Sequence, residues 1–316
     1  MIGCGAVTEL KSAPAYQKTD GFTLDAVFSR DFEKAKDYAK RFGIEKVYES
    51  ADALINDSEI DAVYIATPPD SHKKYALKVA DAGKICCIEK PMAPSFEECV
   101  EINEAFEQRN IPLFVSYYRR SLPRFLKVKS WIEDGKIGDI RHVEWHLHKP
   151  ANGIDLSRGY NWRTDSKIAH GGYFDDVGSH GLDLLGFLLG DIIDAVGMSE
   201  NVQNLYTAKD AISACWKHPN GVTGSGSWNF GMHKREDSVT IYGSRGKIKF
   251  SALDEHPIEL ENEEENLSMF IENPKNIQFF HVENMREHLK GTIIHPSTGN
   301  SAMHTSWVMD KILCKI

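Results

Sequence analysis

Over the first 120 residues, short apolar runs alternate with amphipathic stretches. The runs at 22–28 (FTLDAVF), 62–66 (AVYIA), 85–88 (ICCI) and 112–115 (PLFV) have the length and composition of strands. The stretches at 32–42, 71–82 and 96–109 repeat their apolar positions at helical spacing. Gly43 and Gly83 stand where two of these helices should stop, because glycine tolerates the left-handed conformation that ends a helix. Strands separated by helices of this length predict βαβ units and a doubly wound parallel sheet.

Beyond residue 120 the period changes. A helix is predicted over 123–134, ending at Gly135. Residues 141–148 then alternate strictly. Val143, Trp145 and Leu147 fall on one face, with His142, Glu144, His146 and His148 on the other, as in a half-buried strand. A helical block at 173–189 precedes strand-like segments near 195–202, 209–217, 221–230, 236–242 and 246–250, joined by turn residues such as Pro219-Asn220-Gly221. Helices near 276–290 and 300–314 close the chain, and the acidic stretch 261–265 reads as a solvated loop. The prediction is an α/β protein of two domains, 1–120 with a parallel sheet and 121–316 with a large, mostly antiparallel open sheet.

A length of 316 residues, about twice a usual domain, agrees with two domains. Hydrophobic residues at 41% and charged residues at 26% provide for a core and exclude wholesale disorder. Lys plus Arg is 37 against 46 Asp plus Glu, a net charge of −9, which weighs against a general binder of nucleic acid or of an anionic membrane. No apolar run approaches the ~18 residues of a membrane span, and MIGCGAVTEL has neither the basic nor the apolar region of a secretion signal. Cysteines at 4, 86, 87, 99, 215 and 314 make no C-x-x-C pair, so buried, reduced thiols in a cytoplasmic protein are expected, without a metal site.

Four segments carry candidate chemistry. Gly3-Cys4-Gly5-Ala6-Val7-Thr8 matches G-x-G-x-x-[GA] except for Thr8, and such a turn lets backbone N–H groups approach a pyrophosphate. Only Met1-Ile2 precede it, short of the about five residues of a central strand, so the first strand is expected to be truncated, with weaker cofactor binding if the chain begins there. At the end of the second strand, Ser29-Arg30-Asp31 offers a hydroxyl and a guanidinium where an enzyme preferring NAD carries Asp or Glu; this favours the 2′-phosphate of NADP, and Asp31 is a helix cap. Thr67, Pro68 and His72 lie in the loop after the third strand, where such sheets bind ligands, or in a simple Pro-rich turn. Lys90, in Glu89-Lys90-Pro91, aims a cation at the same crevice or into solvent, and Pro91 is a candidate cis peptide. In the block 171–183, Asp176 and His180 are four apart on a helical face, a spacing that lets a carboxylate orient an imidazole, although a helix cap beside a partly buried histidine gives the same pattern. His142 and His146 are separated by roughly 13 Å of strand, too far to share a metal ion.

In order and spacing, these segments resemble the Gfo/Idh/MocA oxidoreductase family over almost the whole chain. The resemblance rests on the G-x-G turn, ATPPDSH at 66–72, Glu89-Lys90-Pro91, Trp162-Arg163 and the D-x-x-x-H spacing in 171–183. It implies an N-terminal Rossmann domain and a C-terminal domain whose open sheet often serves in homo-oligomerisation. It implies catalytic roles for Lys90, Asp176 and His180. It also implies cofactor contacts from Gly3, Gly5, Ala6, Val7, Ser29, Arg30, Thr67, Pro68, His72, Glu89, Lys90, Trp162 and Arg163. Tyr117-Tyr118-Arg119-Arg120 departs from an Asn-Arg pair found in many members. The expected activity is hydride transfer between NADP, or NAD, and a secondary alcohol or carbonyl of a sugar, polyol or dihydrodiol, with Lys90 and His180 meeting at the nicotinamide. A cofactor-binding sensor without turnover is the alternative, and the intact Lys90, Asp176 and His180 set argues against it.

Overall fold

The computed structural model describes residues 1–316, which form two compact units: residues 1–122 with 274–303, and residues 123–273 with 304–316. The return of 274–303 to the first unit has no counterpart in a linear division at residue 120.

In the first unit, β1 (Ala26–Phe28) pairs in parallel with β2 (Lys46–Tyr48). β3 (Ala62–Ile65), β4 (Ile85–Ile88) and β5 (Leu113–Val115) form a second parallel group. Ile2 joins the two groups by bridging Phe28 and Ile65. Its N–H donates to the Tyr64 carbonyl at 2.8 Å and its carbonyl accepts from Ala66 N–H at 2.8 Å. The expected short first strand is therefore a single bridge at the centre of the order β2-β1-Ile2-β3-β4-β5. Alternate strand residues point to opposite faces, and both faces are buried, as in parallel sheets flanked by helices. Val63, Ile65, Cys86 and Ile88 face a layer that includes Leu54 of α3 (Ala51–Asn56), Val79 of α4 (His72–Asp81) and Ile102 of α5 (Phe96–Glu107). Val27, Tyr64, Cys87 and Phe114 face Tyr16 of α1 (Ala13–Lys18), Tyr38 of α2 (Phe32–Phe42) and Met285 of α9 (Phe279–Leu289). Asp31 caps α2 by accepting from Lys34 N–H at 3.0 Å, and Gly43 ends it at φ 66°.

The second unit is an eight-stranded sheet in the order β13-β12-β11-β10-β6-β9-β8-β7. Its strands are β6 (Ile140–His148), β7 (Asp194–Glu200), β8 (Ala211–Lys217), β9 (Thr223–Asn229), β10 (Glu236–Gly243), β11 (Gly246–Phe250), β12 (Ile258–Asn262) and β13 (Asn266–Met269). All neighbours run antiparallel except β6 and β9. The acidic stretch is not a plain loop: Glu261 pairs within β12, and residues 263–264 make the turn into β13. α6 (Pro123–Glu133), the short α7 (Gly153–Leu156), α8 (Ser179–Leu189) and α10 (Gly299–Ile312) complete the helices. Trp145 and Trp228 are fully buried and meet edge to face at 5.3 Å on the covered side of the sheet. The predicted helix at 173–189 begins with a π-helical turn, Phe174–Gly178, before α8.

Candidate functional site

The carboxyl ends of β1 and β3, with the glycine turn between them, enclose a cavity of about 160 Å³. Gly3, Gly5, Ser29, Arg30, Thr67 and Pro68 line it, so six predicted cofactor residues meet on one surface. Gly3 has φ +103°, and a Cβ there would stand 2.6 Å from the Ala66 carbonyl oxygen, so no other residue fits. A Cβ on Gly5 would meet nothing within 4 Å, so the space above the turn stays open for a ligand. Ala6 and Val7 form the first helical turn after it, and Thr8 Oγ1 donates back to the Gly5 carbonyl at 2.7 Å.

The cavity also takes in Lys34, which the sequence reading missed. A lysine in the first turn of a helix opposes the helix dipole, and that mismatch was the available signal. No carboxylate lines the cavity, and Asp31 is committed to capping α2. The cradle suits a dinucleotide: a backbone with room for a pyrophosphate, flanked by the hydroxyl of Ser29 and the cations Arg30 and Lys34. A larger cavity of about 410 Å³, lined in part by Met1, Leu24, Asp61 and Tyr64, opens at the amino ends of the strands and touches none of the predicted residues. Ligands in such sheets bind at the carboxyl ends, so the smaller cavity is the cofactor candidate.

Two other predicted residues hold the loops rather than face solvent. His72 is fully buried, with Nε2 2.8 Å from the Thr67 carbonyl and Nδ1 3.1 Å from the Pro91 carbonyl. It ties the 66–72 loop to the loop after Lys90, and burial lowers its pKa. The carboxylate of Glu89 accepts from the Tyr64 hydroxyl, from Gln278 Nε2 at 2.7 Å and from Lys90 N–H at 3.2 Å. Lys90 itself is half-buried at the end of β4, before a cis Lys90–Pro91 peptide. In the departure segment, Tyr118 has the Arg119 guanidinium 5.0 Å and the Lys11 ammonium 5.8 Å from its ring centre. Burial would push its phenol up, but Arg119, Lys11 and Lys90 together bring it below its ordinary pKa.

In the second unit, Asp176 lies in the π-helical turn and accepts from Arg163 Nε at 2.7 Å. Arg163 stacks over Trp162 at 4.3 Å, and Asn161 fixes its backbone by accepting from Arg163 N–H at 3.2 Å. His180, on the first turn of α8, is 5% exposed. The glycines of the 171–183 block answer to packing. Gly172 has φ +64° against the Lys209 carbonyl, and a Cβ on Gly181 would strike the Trp145 ring at 2.1 Å. Gly181 thus lets α8 lie directly on β6, which sets the position of its neighbour His180. On the open face of the sheet, His142 bonds with the Thr223 and Ser225 hydroxyls, and His146 and His148 bond with Ser227.

Residues 1–117 match a family described as oxidoreductase, NAD-binding Rossmann fold, and residues 125–249 match the GFO/IDH/MocA C-terminal domain. An oxidoreductase of Formosa agariphila is 35% identical over 97% of this chain and 91% of its own length. A D-apiose dehydrogenase of Rhizobium rhizogenes is 30% identical over 79% of this chain and 72% of its own. A levoglucosan dehydrogenase solved with NADH and levoglucosan superposes with a TM-score of 0.88 at 21% identity, covering 99% of this chain and 94% of that one. The cradle that suits a dinucleotide, the order of motifs and these matches lead to one conclusion: the chain belongs to the Gfo/Idh/MocA family of NAD-binding oxidoreductases.

Proposed function

We propose that this oxidoreductase prefers NADP and transfers hydride between the nicotinamide and a secondary alcohol or carbonyl carbon of a sugar, polyol or dihydrodiol. The cofactor preference rests on one observation: Arg30 and Lys34 line the cavity beside Ser29, and no carboxylate does. The substrate class is supported by the relatives named D-apiose and levoglucosan dehydrogenase.

The bound nicotinamide supplies the hydride acceptor or donor. In the direction of oxidation, the hydroxyl proton passes to His180 as the C–H hydride departs and the C=O bond forms. Lys90 polarises the reacting oxygen, and Asp176, fixed by Arg163, holds a substrate hydroxyl. Energy transfer from tryptophan to reduced cofactor on titration tests the preference. NADPH should bind more tightly than NADH, and Arg30→Ala or Lys34→Met should weaken NADPH about tenfold or more with little effect on NADH. Equal losses for both cofactors would refute the phosphate assignment. Lys90→Met should lose most turnover while still binding NADPH; near-normal turnover would reject its role.

We also propose a homo-oligomer formed through the open face of the sheet, in the cytoplasm. Val196 and Met198 on the edge strand β7 are 65% and 76% exposed, which supports a covered surface there. The six cysteines are unpaired and four of them are buried, which suits a reducing compartment. No helix is long and apolar enough to cross a membrane.

A further inference from the structure

Lys149 follows β6 directly. Its N–H donates to the Asn229 carbonyl at 2.9 Å and its carbonyl accepts from Met232 N–H at 3.1 Å, so its backbone is fixed. The side chain is half-buried. Its ammonium stands 3.4 Å from the ring centre of Tyr173 and 5.3 Å from that of Phe230, and both rings are buried. No carboxylate or carbonyl of the protein lies within hydrogen-bond distance of it. Attraction to ring faces supports a cation, but it offers the three N–H donors of an ammonium no protein acceptor.

Its charged neighbours are all engaged elsewhere. Asp176 is held by Arg163 at 2.7 Å. Arg235 forks onto Asp254, with Nη2 at 2.6 Å and Nε at 2.9 Å. Asp155 accepts from the Tyr173 hydroxyl at 2.7 Å and from Asn152 N–H at 3.2 Å. The Tyr173 hydroxyl in turn accepts from Asn152 and Asn161, so this ring cannot turn away. Lys149 is therefore a half-buried cation on a rigid aromatic seat with no carboxylate in ion-pair contact, while Asp176 and Arg235 are ion-paired and Asp155 is held by neutral donors. Burial holds its pKa below the ordinary lysine value, with Asp155 and Asp176 acting against that fall. A hydroxyl would give the donors an acceptor but leave the charge unmatched, whereas a carboxylate does both.

We propose that Lys149 anchors a carboxylate of the substrate, which makes an acidic sugar or polyol, such as a uronate or an aldonate, the preferred class. The inference rests on the reading of the neighbouring Asp176 as part of the reaction site. The residue binds substrate and takes no part in proton transfer.

The test is calorimetric titration of the whole chain, with and without NADPH, using D-glucuronate and D-gluconate against their neutral counterparts D-glucose and D-sorbitol. At least one acid should bind more tightly than its neutral counterpart. Lys149→Met should abolish that preference, a loss of about tenfold or more in acid affinity, and leave the NADPH affinity unchanged. Lys149→Arg should retain it, which separates loss of the charge from damage to the fold. Equal binding of acid and neutral counterpart, no binding of either acid, or a preference that survives in Lys149→Met would overturn the proposal. Failure to bind NADPH would sink the functional reading instead, and the titrations without cofactor still decide the role of Lys149.

Discussion

The two glycines of the cofactor turn look equivalent in sequence and differ in what they do. Gly3 is demanded by the folded chain itself: its backbone is left-handed and its α-carbon faces the Ala66 carbonyl at a range no side chain survives. Gly5 is under no such demand, because a Cβ there meets only open space. Its methyl would instead project toward the room kept for a pyrophosphate. Gly3→Ala should therefore destabilise the first unit by about 1–3 kcal/mol or more, read as a lower urea midpoint. Gly5→Ala should leave the unfolding free energy within about 0.5 kcal/mol of wild type and still weaken NADPH. A Gly5→Ala protein with intact cofactor affinity would place the pyrophosphate elsewhere.

At the scale of elements, three buried imidazoles fasten the first unit. His72 joins two loops, and His281 and His295 meet edge to face at 4.7 Å, where α9 meets the segment leading to α10. Burial lowers all three pKa values, His295 to about 4, and its bonding explains why the neutral form fits: Nδ1 accepts from Ser297 N–H while Nε2–H donates to the His281 carbonyl. A folded pKa below the unfolded value means the unfolded chain binds more protons, so stability is full above about pH 6.5 and falls as the pH drops. For His295 alone the loss reaches on the order of 2 kcal/mol by pH 5. Asp175, held up at about 6 by burial, acts in the opposite sense but belongs to the second unit. Urea unfolding at pH 7 and pH 5 should show the first unit weakened in acid, and a flat profile would contradict the neutral rings. None of these ties was legible in the sequence, where 72, 281 and 295 are simply distant histidines. The long amphipathic helices and the strict alternation of β6 were legible because each repeats its period several times. Three-residue strands such as β2, and the hairpin through the acidic stretch, offer no such repeat. The candidate cavity was legible through its glycines and Arg30, Lys34 only as a cation set against a helix dipole, and the Arg163–Asp176 pair emerges only when the chain folds.

For the whole molecule, the open face of the eight-stranded sheet raises a question of solubility as much as of assembly. One row in register across it runs Met198, Ser213, Ser227, His146 and Ser238, three of them serines, and its outer edge carries the exposed Val196 and Met198. An edge strand with exposed apolar side chains invites pairing with another chain, and proteins that stay monomeric blunt such edges with charge or proline. β7 carries Asp194 and Glu200 at its ends but Val196 and Met198 between them. A second copy of the same face would cover both residues, and the small Ser and Thr side chains permit close approach of the two sheets. Sedimentation of the wild-type chain should give an even-numbered oligomer, since a face that meets its own copy makes a two-fold pair. Met198→Lys together with Val196→Lys should reduce the assembly to smaller species without lowering the stability of the sheet, because both residues point away from its core. If the double variant sediments like wild type, the contact lies on another surface, and the apolar edge of β7 has a different purpose.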